Sequence, residues 1–164
     1  MQSLSDRLKF LRSREALAAV VLPAVIVWSW IDKGGEVAWP MRLAALALLA
    51  YILIQGTYYW HLKLRLLDDQ QPLPSYFRKL FMGFNWSNRI AIAGLLLVLV
   101  LVERSTVNEA DIGWTAGLLV GAIFEQINYY HYQLMYDTRA SINYVRHNRR
   151  LRKAALGKDM ARGT

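Results

Sequence analysis

Four apolar stretches, at 16–31, 43–60, 90–102 and 112–127, alternate with polar segments along the chain. In lipid an unpaired backbone group costs several kcal/mol, so a stretch that enters a bilayer is read as a helix. The pattern predicts an all-α fold, an integral membrane bundle of four transmembrane helices. The spans fall at about 15–32, 39–61, 86–104 and 112–133, followed by a basic tail at 134–164, and 1–164 forms a single membrane domain.

The polar segments add detail. Leu4, Leu8 and Leu11 share one face of 3–15, with Arg7, Lys9, Arg12 and Arg14 around them, which suits a short amphipathic helix in the interface. Pro23 removes a backbone donor inside the first span. Asp32-Lys33-Gly34-Gly35 reads as a tight turn, and Pro40 falls in the tolerant first turn of the second span. Asp68-Asp69-Gln70-Gln71-Pro72-Leu73-Pro74 ends that span. Ser75 then caps a second short interfacial helix at 76–84, and Ser87 or Asn88 caps the third span. The third apolar run has only 13 residues where about 20 are needed, so 84–86 must dip in or Arg89 and Glu103 must snorkel. The fourth span is expected to continue past the membrane, because 133–155 contains no Gly or Pro. The first span is read as retained, since Ser29-Trp30-Ile31-Asp32 is bulky where a leader-cleavage site needs small residues.

Charge sets the orientation. Of 20 Lys and Arg residues, 17 lie in 1–15, 62–89 and 134–164, and three (Lys33, Arg42 and Arg104) lie in the other two loops. The positive-inside rule therefore predicts a multi-pass protein of the cell membrane with both termini in the cytoplasm. A net charge of +8 distributed this way points to anionic lipid headgroups rather than nucleic acid, for which no motif is present. Arg146, Arg149, Arg150, Arg152 and Lys153 are read as the basic set that faces lipid or a partner.

An internal repeat links the halves. Gln55, Tyr58 and Tyr59 align with Gln126, Tyr129 and Tyr130, and Thr57 aligns with Asn128. Trp39 and Trp114 mark the opposite ends of the same two spans. Two pseudo-repeated hairpins about an axis along the membrane normal would give this pattern.

Glu125 is the sharpest candidate for chemistry, because a carboxyl inside a span is costly and marks a functional site by default. Gly113, Gly117 and Gly121 precede it at intervals of four, a doubled small-residue face for close helix approach. The matching seam on the second span is Ala47, Ala50, Ile54, Thr57 and His61. Together these predict an intramembrane polar track through Glu125, Asn128, Thr57 and His61, flanked by Gln55 and Gln126. Tyr58, Tyr59, Trp60, Tyr129, Tyr130, Tyr132 and Tyr136 read as a cytoplasmic aromatic belt.

No cysteine is present, which excludes disulfides, thiolate metal sites and a Cys nucleophile. Soluble-enzyme signatures are lacking, so no catalytic residue, metal or cofactor is assigned. The favoured reading is a non-catalytic membrane subunit or scaffold, a homo-oligomer or part of a membrane complex. Its basic tail would recruit a partner or anionic lipid. The alternative is an oligomeric channel or transporter for protons, small cations or a small polar solute using Glu125. Remoter alternatives are b-type haem ligation by His61 and His131, or lipid modification.

Overall fold

The computed structural model describes residues 4–32, 37–103, 105, 107–135 and 139–162. The expected turn at 33–35, with Glu36, Arg104 and Tyr136, lies outside the described residues. The described chain is helical: α1 Leu4–Asp32, α2 Trp39–Asp68, α3 Phe77–Leu101, α4 Glu109–Tyr130, α5 Arg139–Asn148 and α6 Ala155–Arg162. Helices α1, α2 and α3 are long and apolar enough to cross a membrane. Their outward faces carry Val20, Val25, Trp28, Leu97, Val100 and Leu101, all exposed. Apolar surface of this extent is suited to lipid and would be an aggregation hazard in water. The fold is that of a multi-pass helical bundle.

Several local expectations are corrected. The two short interfacial helices do not exist as separate elements. Residues 4–15 run without a break into α1, and the 76–84 segment runs into the apolar part of α3. Every helix end strands four backbone groups, so fusion avoids two sets of ends near the membrane. It also resolves the short third run, because α3 supplies 25 residues. Pro23 sits inside α1 without ending it, and Pro40 occupies the first turn of α2. Neither expected cap of the third span is used as one. The Ser87 hydroxyl donates to the Phe84 carbonyl within α3, and Asn88 is buried in the bundle. Ser75 does not cap α3 either; Tyr76 stands at that position without a side-chain bond.

Helix α2 ends with Gln70 in the left-handed region at φ 53°, where the Gln71 N–H reaches back to the Arg65 carbonyl at 3.3 Å. Such a reach satisfies a carbonyl that the helix end would otherwise leave open. Helix α4 stops at Tyr130 instead of running on past 133. The chain then turns back on itself: Gln133 N–H donates to the Arg152 carbonyl at 2.8 Å, and Ala154 N–H to the His131 carbonyl at 3.0 Å. These bonds give the backbone an alternative to helix continuation, and they lay the tail against the bundle.

Helix α2 is the centre of the bundle. Its Leu46, Leu49, Ile52 and Leu53 pack with Leu118, Leu119 and Ala122 of α4, and Phe77 and Phe81 of α3 close the same core. The helices alternate in direction. One end, here the basic end, gathers the start of α1 and α3 and the finish of α2 and α4. The other, the tryptophan end, gathers Trp30, Trp39 and Trp114.

Candidate functional site

Polar groups occupy three levels of the bundle. At the tryptophan end, Arg42 Nε lies 2.5 Å from Asp111 Oδ1, and both residues are nearly inaccessible (6% and 2% exposed). The approach is off the in-line angle of a hydrogen bond, so this is an ion-pair contact. Asp111 also accepts from the Ala38 N–H at 3.2 Å. The Arg42 guanidinium stands 5.2 Å from the Trp30 ring, whose edges meet Trp39 and Trp114. The sequence pattern reads Arg42 as a loop cation and does not single out Asp111. The available signal was position, since each falls in the first turn of its helix.

Midway along, Gln55 and Asn88 exchange amide hydrogen bonds, both 2.9 Å. Asn88 also donates to Gln126 Oε1 at 2.8 Å, Gln126 donates to Asn85 Oδ1 at 2.6 Å, and the Tyr130 hydroxyl donates to Gln55 Oε1 at 2.7 Å. Gln55 and Gln126 were expected as flanks of a track. Instead they converge on one asparagine of α3, a residue that sequence reasoning had assigned to a helix cap.

The expected track does not assemble. Ala47 and His61 are exposed on α2 and Ala50 is half-buried, while the face turned inward carries Ala45, Leu49, Ile52, Gln55, Gly56 and Tyr59. The small-residue seam loses to the row that buries more apolar volume. Thr57 donates to the Leu53 carbonyl of its own helix at 3.1 Å. On α4, a Cβ at Gly113 or Gly117 would meet nothing within 4 Å, and one at Gly121 would only touch Leu49 at 3.7 Å. Between α2 and α4 it is Gly56 that permits close approach, since a Cβ there would run into the Tyr129 ring. Of the track, one link is present, the Asn128 amide donating to Glu125 Oε2 at 3.3 Å.

At the basic end a cavity of about 650 Å³ opens between α1, α4 and the tail. Its wall includes Glu15 of α1 and Glu125, Asn128 and Tyr129 of α4. The tail contributes Arg152, Lys153, Lys158 and Arg162, and Leu4, Leu8 and Leu11 form an apolar flank. Asp159 fastens the tail: it accepts from the Tyr59 hydroxyl at 2.8 Å and from Lys63 Nζ at 2.5 Å. Gly157 allows the backbone itself to touch, because a Cβ there would lie 2.5 Å from the Tyr130 carbonyl oxygen. Leu156, 1% exposed, anchors the turn. Lys158 is held below the ordinary lysine range by burial and by the charges of Arg152, Arg162 and Lys153, with Asp159 opposing.

The Tyr129 hydroxyl is buried without a hydrogen-bond partner. The Glu15 and Glu125 carboxyls stand near it. The other belt aromatics divide. Tyr58 meets the Tyr76 hydroxyl at 3.2 Å, Tyr59 and Tyr130 serve the polar contacts above, Trp60 is half-buried, and Tyr132 is exposed. Arg146, Arg149 and Arg150 are exposed around the end of α5, whereas Arg152 and Lys153 border the cavity. His131 and His61 are both exposed; His131, its pKa lowered by partial desolvation and by Arg89, faces that arginine at 3.4 Å. Among the described residues, no three His, Asp or Glu side chains cluster as a metal site would require. Comparison with protein-family models, curated proteins and solved structures finds no match.

Proposed function

We propose that the chain is a four-span membrane protein with both termini in the cytoplasm, acting as a non-catalytic subunit or scaffold through its basic face. The observation that carries this reading is the amide cluster. Gln55, Asn88, Gln126, Asn85 and Tyr130 bond one another across the middle of the bundle. A closed set of mutually satisfied amides is a plug, because opening it would strand buried donors and acceptors. The fourth span would be α4, whose 22 residues extend about 33 Å. Its uncovered Gly113 and Gly117 face, together with Arg146, Arg149 and Arg150, leaves surfaces on which a partner helix or an acidic partner would sit.

The test is purification of the full chain in mild detergent, with the mass of the particle and of anything retained. The reading expects a stable complex or oligomer that the Glu125→Gln variant keeps. It also expects the triple change of Arg146, Arg149 and Arg150 to Gln to lose the retained component. A second reading, a transporter, draws on the cavity that Glu15 and Glu125 share. Reconstituted flux of protons or a small cation, abolished by Glu125→Gln with assembly intact, would establish it instead.

A further inference from the structure

The cavity at the basic end has two chemically distinct parts. One carries carboxyls: Glu15, with Arg14 of its own helix nearby, and Glu125, with the Asn128 amide beside it, approach from different helices. Tyr129, 4% exposed, lines the same cavity near both carboxyls, and its hydroxyl makes no hydrogen bond of full geometry. A buried hydroxyl without a partner is a cost that an entering donor would relieve. The other part is cationic: Arg152, Lys153, Lys158 and Arg162 on the tail. Asp159, the carboxylate among them, is already engaged by Lys63 and Tyr59. Burial lowers the Lys158 ammonium, and Arg152, Arg162 and Lys153 stand near enough to lower it further. Arginine forks suit the several oxygens of a phosphate better than the single charge of a carboxylate.

A simple anion would ignore the carboxyls, and a simple amine would meet the cations first. We propose that this cavity binds a zwitterion bearing a primary ammonium and a phosphate, the ammonium at Glu15, Glu125 and Tyr129 and the phosphate at Lys158 and Arg162. An ethanolamine phosphate group has this chemistry, either as the free compound or as the head of an aminophospholipid. The cavity volume exceeds what the group alone would fill, and Leu4, Leu8 and Leu11 would lie against a lipid's first methylenes. The proposal deepens the reading of the basic face as the working surface. It does not depend on which side of the membrane that face occupies, because binding is read in detergent.

The test is calorimetric titration of the purified full-length protein with O-phosphoethanolamine, inorganic phosphate and ethanolamine in turn. A parallel arm uses nanodiscs of phosphatidylethanolamine or of phosphatidylglycerol, read by native mass spectrometry for retained lipid. The expected result is saturable binding of the zwitterion, at least tenfold tighter than either single ion, or selective retention of the ethanolamine lipid. The first outcome names a soluble ligand and the second a lipid. Glu15→Gln with Glu125→Gln should reduce the zwitterion to the affinity of phosphate, and Lys158→Gln with Arg162→Gln should abolish binding. Unfolding midpoints of each variant, and Glu15→Asp as a conservative control that retains preference, separate loss of recognition from loss of fold. Equal binding of phosphate and phosphoethanolamine, equal binding of ethanolamine, or no binding in either arm would overturn the proposal. A failed topology with intact selectivity would count against the functional reading alone.

Discussion

At the tryptophan end, Arg42 and Asp111 are sealed beneath three indoles, with side chains 7% and 3% exposed. At the basic end, Lys63 and Asp159 form a pair of the same length whose side chains are 28% and 12% exposed, beside an open cavity. The distance is the same in both; the difference is what surrounds it. Removing one member of a sealed pair leaves a bare charge with no water to receive it, whereas a half-wet pair can be replaced by solvent. One end of the bundle is therefore built to stay shut, and the other to exchange contacts.

The largest effect should follow from Asp111→Ala, which strands Arg42 and is expected to cost about 3–5 kcal/mol of stability. Asp159→Ala should cost less, about 1–3 kcal/mol, most of it from leaving the buried Tyr59 hydroxyl without its acceptor, while loosening the tail. Unfolding in graded SDS–detergent mixtures compares the two, and equal losses would break the contrast. Replacing Arg42 by Met and Asp111 by Leu together should recover most of the loss, since a well-packed apolar pair often matches a buried ionic one.

Asn88→Leu should come next, at about 1–3 kcal/mol, because it leaves Gln55 and Gln126 with unpaired buried amides. Gly56→Ala drives a methyl into the Tyr129 ring and is expected to cost about 1–3 kcal/mol by overpacking. Gly117→Ala should be neutral or stabilising by up to about 1 kcal/mol, since open space surrounds it and alanine favours helix. The same SDS titration reads all three.

The smallest effect concerns Lys158. Its folded-state pKa lies below the ordinary 10.5, so the charged form is disfavoured in the docked tail. That penalty is fully present below the folded pKa and fades as pH rises from there toward 10.5. Lys158→Gln should remove it at neutral pH, seen as slower hydrogen exchange in α6.

The long helices were legible because lipid restricts the menu of structure, and because apolar runs are strong signals. The inward face of α2 was not. Small residues at Ala47, Ala50 and Thr57 suggested a seam, yet Gln55 and Gly56 turn inward one position away. A step of one residue is about 100° around a helix, so a short small-residue pattern fixes the face poorly. Asn88 was hidden for a related reason: beside Ser87 and before an apolar run, it looks like a cap. Only tertiary contact with two glutamines reveals it as a hub. The tail's return to the bundle depends on Gly157 touching the Tyr130 carbonyl and on Asp159 reaching Lys63 and Tyr59 from about 100 residues away. No local pattern encodes such a pairing.

The account rests on the two ends lying on opposite sides of a bilayer, and the natural lack of cysteine makes this directly measurable. Single cysteines at Ser75, near the basic end, and at Ser105, near the tryptophan end, would be exposed in intact cells to a membrane-impermeant maleimide. Labelling of Ser105→Cys from outside, and of Ser75→Cys only after permeabilisation, is the predicted result. Labelling of both from the same side, or of Ser75→Cys alone in intact cells, would contradict it.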